Sequence, residues 1–129
     1  MMQRLKTRPQ FQAVLAGTQV AKTGHFVLHR HEINPAMSAP FPTNDIWIGA
    51  MVPKRWAKRA VTRNAIKRQV YTVSASLTDQ FPQAAFLVRL RRGFSRETFV
   101  SATSIELKEA VRSELLALMR AGLASKLAT

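Results

Sequence analysis

Between Lys54 and Arg68 stand seven of the chain's twenty lysines and arginines, with no acid among them. The run leads into Ile66, Val70, Val73 and Leu77, whose spacings of three and four are the period of one buried helical face. Together these features predict an amphipathic helix over residues 57–77, one side covered by a core and the other carrying cations. On such a helix Arg59, Arg63 and Lys67 stand at i, i+4 and i+8. Neighbouring like charges in that row cost an isolated helix roughly 0.2–0.5 kcal/mol each. A solvated basic face is the ordinary explanation of a charge run, but such faces usually interleave acids, and here none interrupts the row. The pattern favours an anionic partner. If the row serves only that partner, replacing Arg63 and Lys67 by alanine should leave thermal stability unchanged or slightly higher.

The elements around this helix follow from local chemistry. Residues 45–52 alternate so that Ile46, Ile48, Ala50 and Val52 share a face and Trp47 takes the other, which predicts a strand. Pro53, with no N–H to donate, ends it and places Lys54 and Arg55 at the start of the helix. The charged flank then forms a stripe of roughly 20 Å, long enough for several phosphates. Asn64 in its middle is a poor helix former with two donors and an acceptor; it either bonds backbone or the anionic partner, or is a tolerated surface residue.

Upstream, no acid occurs before Glu32, and Arg4, Lys6 and Arg8 form a second basic patch. Pro9, the shared face of Phe11, Val14 and Leu15, and Gly17 predict a short helix over residues 9–16. Residues 25–30 read as a strand, and the prolines of segment 32–44 as a loop. His25, His29, His31 and Glu32 match no closed metal site, and strand parity alone would put the three histidines on one face, exposed or turned to the anionic partner. Downstream, residues 85–93 predict a strand with Phe86, Val88 and Leu90 on one side and Leu87, Arg89 and Arg91 on the other. Thr103 and Glu106 have capping-box spacing, and Leu107, Val111, Leu115 and Leu118 continue as a helix ending near Gly122. Four of the seven acids fall between Glu97 and Glu114, so this last helix is the part least suited to an anionic partner. Residues 123–129 show no anchor and are expected to fray.

A chain of 129 residues with 47% apolar content suits one domain, assigned to residues 1–122, around a single core. Three strands and three helices in the order α-β-β-α-β-α make it an α+β two-layer sandwich. A net charge of +13 predicts self-repulsion relieved by a polyanion, and nucleic acid is the commonest. No apolar run approaches membrane-spanning length, no secretory signal pattern opens the chain, and no cysteine is present, all consistent with a cytoplasmic protein.

At the basic helix the chain resembles the protein subunit of bacterial ribonuclease P. Lys54-Arg55, Arg59-Ala60, Arg63-Asn64 and Ile66-Lys67-Arg68 are similar to that family's signature, in which a Lys-Lys pair precedes an Arg-Asn-Arg-Ile-Lys-Arg block. Ala65 and Tyr71 stand where the family usually has two further arginines. Phe11-Gln12-Ala13-Val14 resembles the family's Phe-Gln-x-Val helix beside a cleft for single-stranded RNA. The resemblance implies a small mixed sheet, with a short extra strand possible in the linkers. It also implies a left-handed βαβ crossover, as in a domain of a small-subunit ribosomal protein. It further implies RNA binding by Lys54, Arg55, Lys58, Arg59, Arg63, Asn64, Lys67 and Arg68, and a leader-binding cleft that includes Phe11 and Leu15. For Phe11 a plain core role is the alternative. The implied partners are the catalytic RNA and precursor tRNA, with no membrane and a single copy in the holoenzyme. The implied function is to assist endonucleolytic removal of the 5′ leader. Mg²⁺ would be held mainly by the RNA, and no protein residue is expected to be catalytic or to bind metal. Two alternatives remain at this level: a ribosomal or other structural RNA-binding protein, and an autonomous nuclease using His29 and His31.

Overall fold

Alternation in the strands and the three-four period in the helices sort the apolar residues onto two sides of one sheet. The computed structural model describes residues 2–94 and 105–126. Its elements are β1 (Met2–Arg4), α1 (Arg8–Leu15), β2 (Thr18–Lys22), β3 (Phe26–His31), β4 (Ile46–Met51), α2 (Ala60–Ser76), β5 (Ala85–Leu90) and α3 (Ile105–Lys126). The five strands lie in the order β1-β4-β5-β3-β2. β4 pairs in parallel with both β1 and β5, while β3 runs antiparallel to β5 and β2. The sheet is mixed, and α2 is the crossover between the parallel neighbours β4 and β5.

One face carries the main core. Phe26, Leu28, Ile46, Ile48, Ala50, Phe86, Val88 and Leu90 meet Ile66, Val70, Val73 and Leu77 of the α2 segment and Leu107, Val111, Leu115 and Leu118 of α3. The expected face assignments for β4, β5, α2 and α3 all hold here. The opposite face carries a smaller core of Leu5, Val14, Phe41, Trp47, Ala85 and Leu87, covered by α1. The α+β sandwich of sheet against α2 and α3 therefore has a partial third layer.

The extra strands β1 and β2 come from the linkers. β1 is three residues long, and β2 is a largely exposed edge strand with a register shift between Gln19 and Ala21, so neither shows sustained alternation. α1 begins at a Thr7 cap whose hydroxyl accepts from the Gln10 amide. Gln10 Oε1 in turn accepts from the Lys6 and Thr7 amides at 2.7 and 3.1 Å, closing a capping box. α2 starts at Ala60 rather than Ala57, because Arg59 is still extended at φ −85° and ψ 133°. α3 does not end near Gly122 but runs to Lys126. A Cβ on Gly122 would lie 2.5 Å from Leu28 Cδ2, so this glycine permits close packing of helix on sheet instead of terminating the helix. Leu123 is buried in the main core, which moves the end of the packed domain past residue 122. The Thr103 cap lies outside the described residues.

Candidate nucleic-acid interface

The basic turn is rigid for reasons visible in its own bonds. Pro53 O accepts from the Trp56 and Ala57 amides, both at 3.1 Å, folding residues 53–57 into a tight turn. Arg63 then reaches back from the first turns of α2, its Nη1 donating to Ala57 O at 3.0 Å and Lys58 O at 2.8 Å. Arg63 is half-buried, so part of its function is to clamp the turn to the helix. This corrects the expectation that Arg63 can become alanine without loss of stability.

On this frame Lys54, Arg55, Lys58 and Arg59 are all exposed. Asn64 and Arg68 lie on the outer face of α2, and Lys67 is half-buried at its border. The Asn64 side chain makes no hydrogen bond to another described residue, leaving its donors and acceptor to solvent or a partner. All eight lie on the basic turn or the first half of α2, six exposed and two half-buried. Sequence reasoning missed one neighbour: Arg4, delivered by β1, places its guanidinium 4.0 Å from the centre of the Tyr71 ring, one turn beyond Lys67. Of the N-terminal basic patch, Arg4 thereby reaches α2, brought there by the pairing of β1 with β4.

The second face behaves differently. Phe11 and Leu15 are half-buried and pack on the smaller core, so both contribute to packing while keeping an exposed edge. A cavity of about 250 Å³ lies beside α1, lined by Ala13, His31, Ile33, Met37, Pro40 and Phe41 among others. Neither Phe11 nor Leu15 lines it. The three histidines are not equivalent. His29 is 2% exposed, and its Nε2 accepts from Arg89 Nε at 3.2 Å. Burial first, and the Arg89 charge second, hold the His29 ring below its ordinary pKa and keep it neutral. With Nε2 accepting, the proton sits on Nδ1, which is buried without a partner among the described residues. His31 packs on Phe41 with ring centres 5.7 Å apart. His25 turns the other way, stacking on Phe94 at 3.9 Å and placing Nδ1 2.7 Å from Glu114 Oε1 on α3. The expectation of three histidines on one exposed face is corrected on both counts.

Three acids are engaged by neighbouring groups, among them Glu32, whose Oε1 lies 2.6 Å from Arg30 Nε. Glu114 accepts from the Thr23 hydroxyl at 2.6 Å and the His25 amide at 2.7 Å, and Asp45 accepts from the Thr43 hydroxyl at 2.8 Å. Among the described residues no three His, Asp or Glu side chains gather as metal ligands. Nor is any described helix long and apolar enough to cross a membrane.

A sequence profile described as Ribonuclease P matches residues 2–114. The chain belongs to the ribonuclease P protein family. Curated relatives named "Ribonuclease P protein component" agree. That of Bordetella parapertussis is 31% identical over 112 residues, covering 87% of this chain and 85% of its own length. That of Bordetella avium is 32% identical over 111 residues, covering 86% and 83%. Among solved structures, the RNase P protein of Staphylococcus aureus superposes with a TM-score of 0.66 at 18% identity, covering 91% of this chain and 92% of that one. The RNase P protein from Thermotoga maritima gives 0.60 at 18% identity, covering 90% and 97%. The mixed sheet with three helices is thus the fold of known ribonuclease P proteins, and the chain is a protein component of this endoribonuclease.

Proposed function

We propose that this ribonuclease P protein binds the catalytic RNA through the turn and outer face of α2, and the single-stranded 5′ leader of precursor tRNA along the α1 side of the sheet. The observation that carries this reading is the acid-free cationic surface formed by Lys54, Arg55, Lys58, Arg59, Arg63, Lys67 and Arg68 on a pinned turn and one helix. An RNA backbone neutralises the mutual repulsion of such a row, and counterion release drives the association. Asn64 supplies directional bonds within the row, while the exposed edges of Phe11 and Leu15 border the strand that holds the leader. The protein works as one copy in the cytoplasm, as an assisting subunit in leader removal. Cleavage and its Mg²⁺ ions belong to the RNA, in keeping with carboxylates tied to Thr23, His25 and Thr43.

Reconstitution tests the proposal. Added to a bacterial ribonuclease P RNA at low Mg²⁺, the protein should accelerate cleavage of precursor tRNA at the 5′ leader. Log affinity should fall against log salt by about 0.7 per single-strand phosphate neutralised. No acceleration, or an affinity indifferent to salt, would overturn it and favour a different RNA-binding role.

A further inference from the structure

The two tryptophans occupy opposite situations. Trp47 is 6% exposed in the smaller core and its indole N–H donates to Thr43 O at 3.0 Å. Trp56 is 38% exposed on the basic turn, and its indole N–H has no partner among the described residues. A large aromatic surface left in water is unfavourable, and here it sits among Lys54, Arg55 and Lys58, all exposed. Its backbone is held by Pro53 O and by the Arg63 clamp across Ala57 and Lys58, and Gly93 beyond β5 passes close to its carbonyl. A Cβ at Gly93 would lie 2.7 Å from Trp56 O, so only glycine lets that segment pass so close. Arg55 is the indole's own cationic neighbour, with its guanidinium 5.5 Å from the ring centre, near the outer limit of about 6 Å for a cation–π contact. That hold is weak enough to yield.

We propose that Trp56 is a stacking platform for an unpaired nucleobase of bound RNA, with Lys54, Arg55 and Lys58 holding the phosphates on either side of that base. The proposal rests on the RNA-binding reading of the basic surface and adds a base contact to it. Stacking requires a flat apolar face fixed in advance beside cations, and every base offers a matching face. The pinned turn fixes the backbone that carries the indole, so only the side chain has to settle when RNA arrives. Because the contact is with a base and not a phosphate, it contributes affinity without contributing to the salt dependence.

The experiment uses the full chain with a bacterial ribonuclease P RNA in one arm and a precursor tRNA in the other. Buried Trp47 serves as internal reference for tryptophan emission. In the parent, RNA should quench the exposed component of the emission. Trp56→Ala should melt as the parent does, lose that component, and bind at least one of the two RNAs roughly 5- to 150-fold more weakly with an unchanged salt slope. Trp56→Phe should recover part of the loss. The arm that weakens identifies which RNA supplies the base. Parent-like affinity of Trp56→Ala in both arms, or unquenched Trp56 emission in a complex that forms, overturns the stacking proposal and leaves the basic-surface reading standing. A parent that binds neither RNA overturns both.

Discussion

Helices α2 and α3 lie side by side on one face of the sheet, joined where Ser74 Oγ approaches Met119 Sδ at 3.8 Å. Each turns an apolar stripe inward: Ile66, Val70 and Val73 from α2, and Leu107, Val111, Leu115 and Leu118 from α3. Their outer surfaces differ. α2 shows Arg68 and Asn64 with no acid along its length, whereas α3 exposes Glu106 and Glu109 among Lys108, Arg112 and Arg120. Their anchors differ as well. α2 is fastened at its start by Arg63 on two carbonyls, and α3 is fastened in its middle by Glu114 on the β2–β3 hairpin. Burial fixes where a helix lies, while the sign of its outer surface decides what it meets. The two determinants occupy separate residues, so they can be broken separately.

The largest expected effect tests the shared part. Ile66→Ala on α2 and Leu115→Ala on α3 each remove a fully buried side chain from the same core, and each should destabilise the fold by roughly 2–5 kcal/mol. That is a large share of the stability of a domain this size. Thermal melting should rank the two variants close together, and any loss of RNA binding should disappear under conditions that restore folding. A variant that stays folded yet binds RNA poorly would show that the apolar stripe also shapes the interface.

A smaller effect separates the clamp from the proposed RNA-binding role of the basic row. Arg63→Ala removes two hydrogen bonds from a cation to carbonyls, one of them exposed, and should cost about 1–2 kcal/mol. Lys67→Ala removes a like charge and inserts a better helix former, so its melting temperature should hold or rise slightly. Both should weaken RNA binding and lower its salt slope. Arg63→Lys sharpens the contrast: it keeps the charge but loses the planar fork, so it should melt early while retaining most of the salt slope. Equal melting of Arg63→Ala and the parent would mean the clamp contributes nothing.

How much of this was legible in the chain depends on whether the signal was local. The faces of β4, β5, α2 and α3 could be read because burial repeats within each segment, and the basic row because it is contiguous. β1 and β2 could not, since Met2–Arg4 and Thr18–Lys22 lack alternation and owe their state to pairing with β4 and β3. Gly122 looked like a stop because glycine usually ends a helix, but its reason is Leu28, ninety-four residues away in sequence. Within the candidate site, the presence of cations was legible by type. That Arg63 folds back on Ala57, or that Arg4 lies on Tyr71, follows only from tertiary geometry.

The smallest effect belongs to the anchor of α3. Burial pushes the Glu114 carboxyl up, but hydrogen bonds from the Thr23 hydroxyl, the His25 amide and the His25 ring outweigh it and hold the group below the ordinary value of 4.5. A carboxyl depressed in the folded state stabilises the fold above its unfolded pKa and loses that contribution as pH falls through the folded value. Glu114→Gln should therefore be less stable than the parent near neutrality, by roughly 1 kcal/mol, and the gap should narrow as pH drops below about 4.5. His29 adds a slope to the curve of each protein. Its pKa is depressed, so the unfolded state takes up the proton first and stability falls with pH from about 6.5 downward. That slope is common to both proteins and cancels in their difference. Denaturant unfolding of the pair between pH 7 and pH 3.5 reads the gap directly, and a gap constant across that range would show that Glu114 holds α3 to the hairpin by shape alone, without its charge.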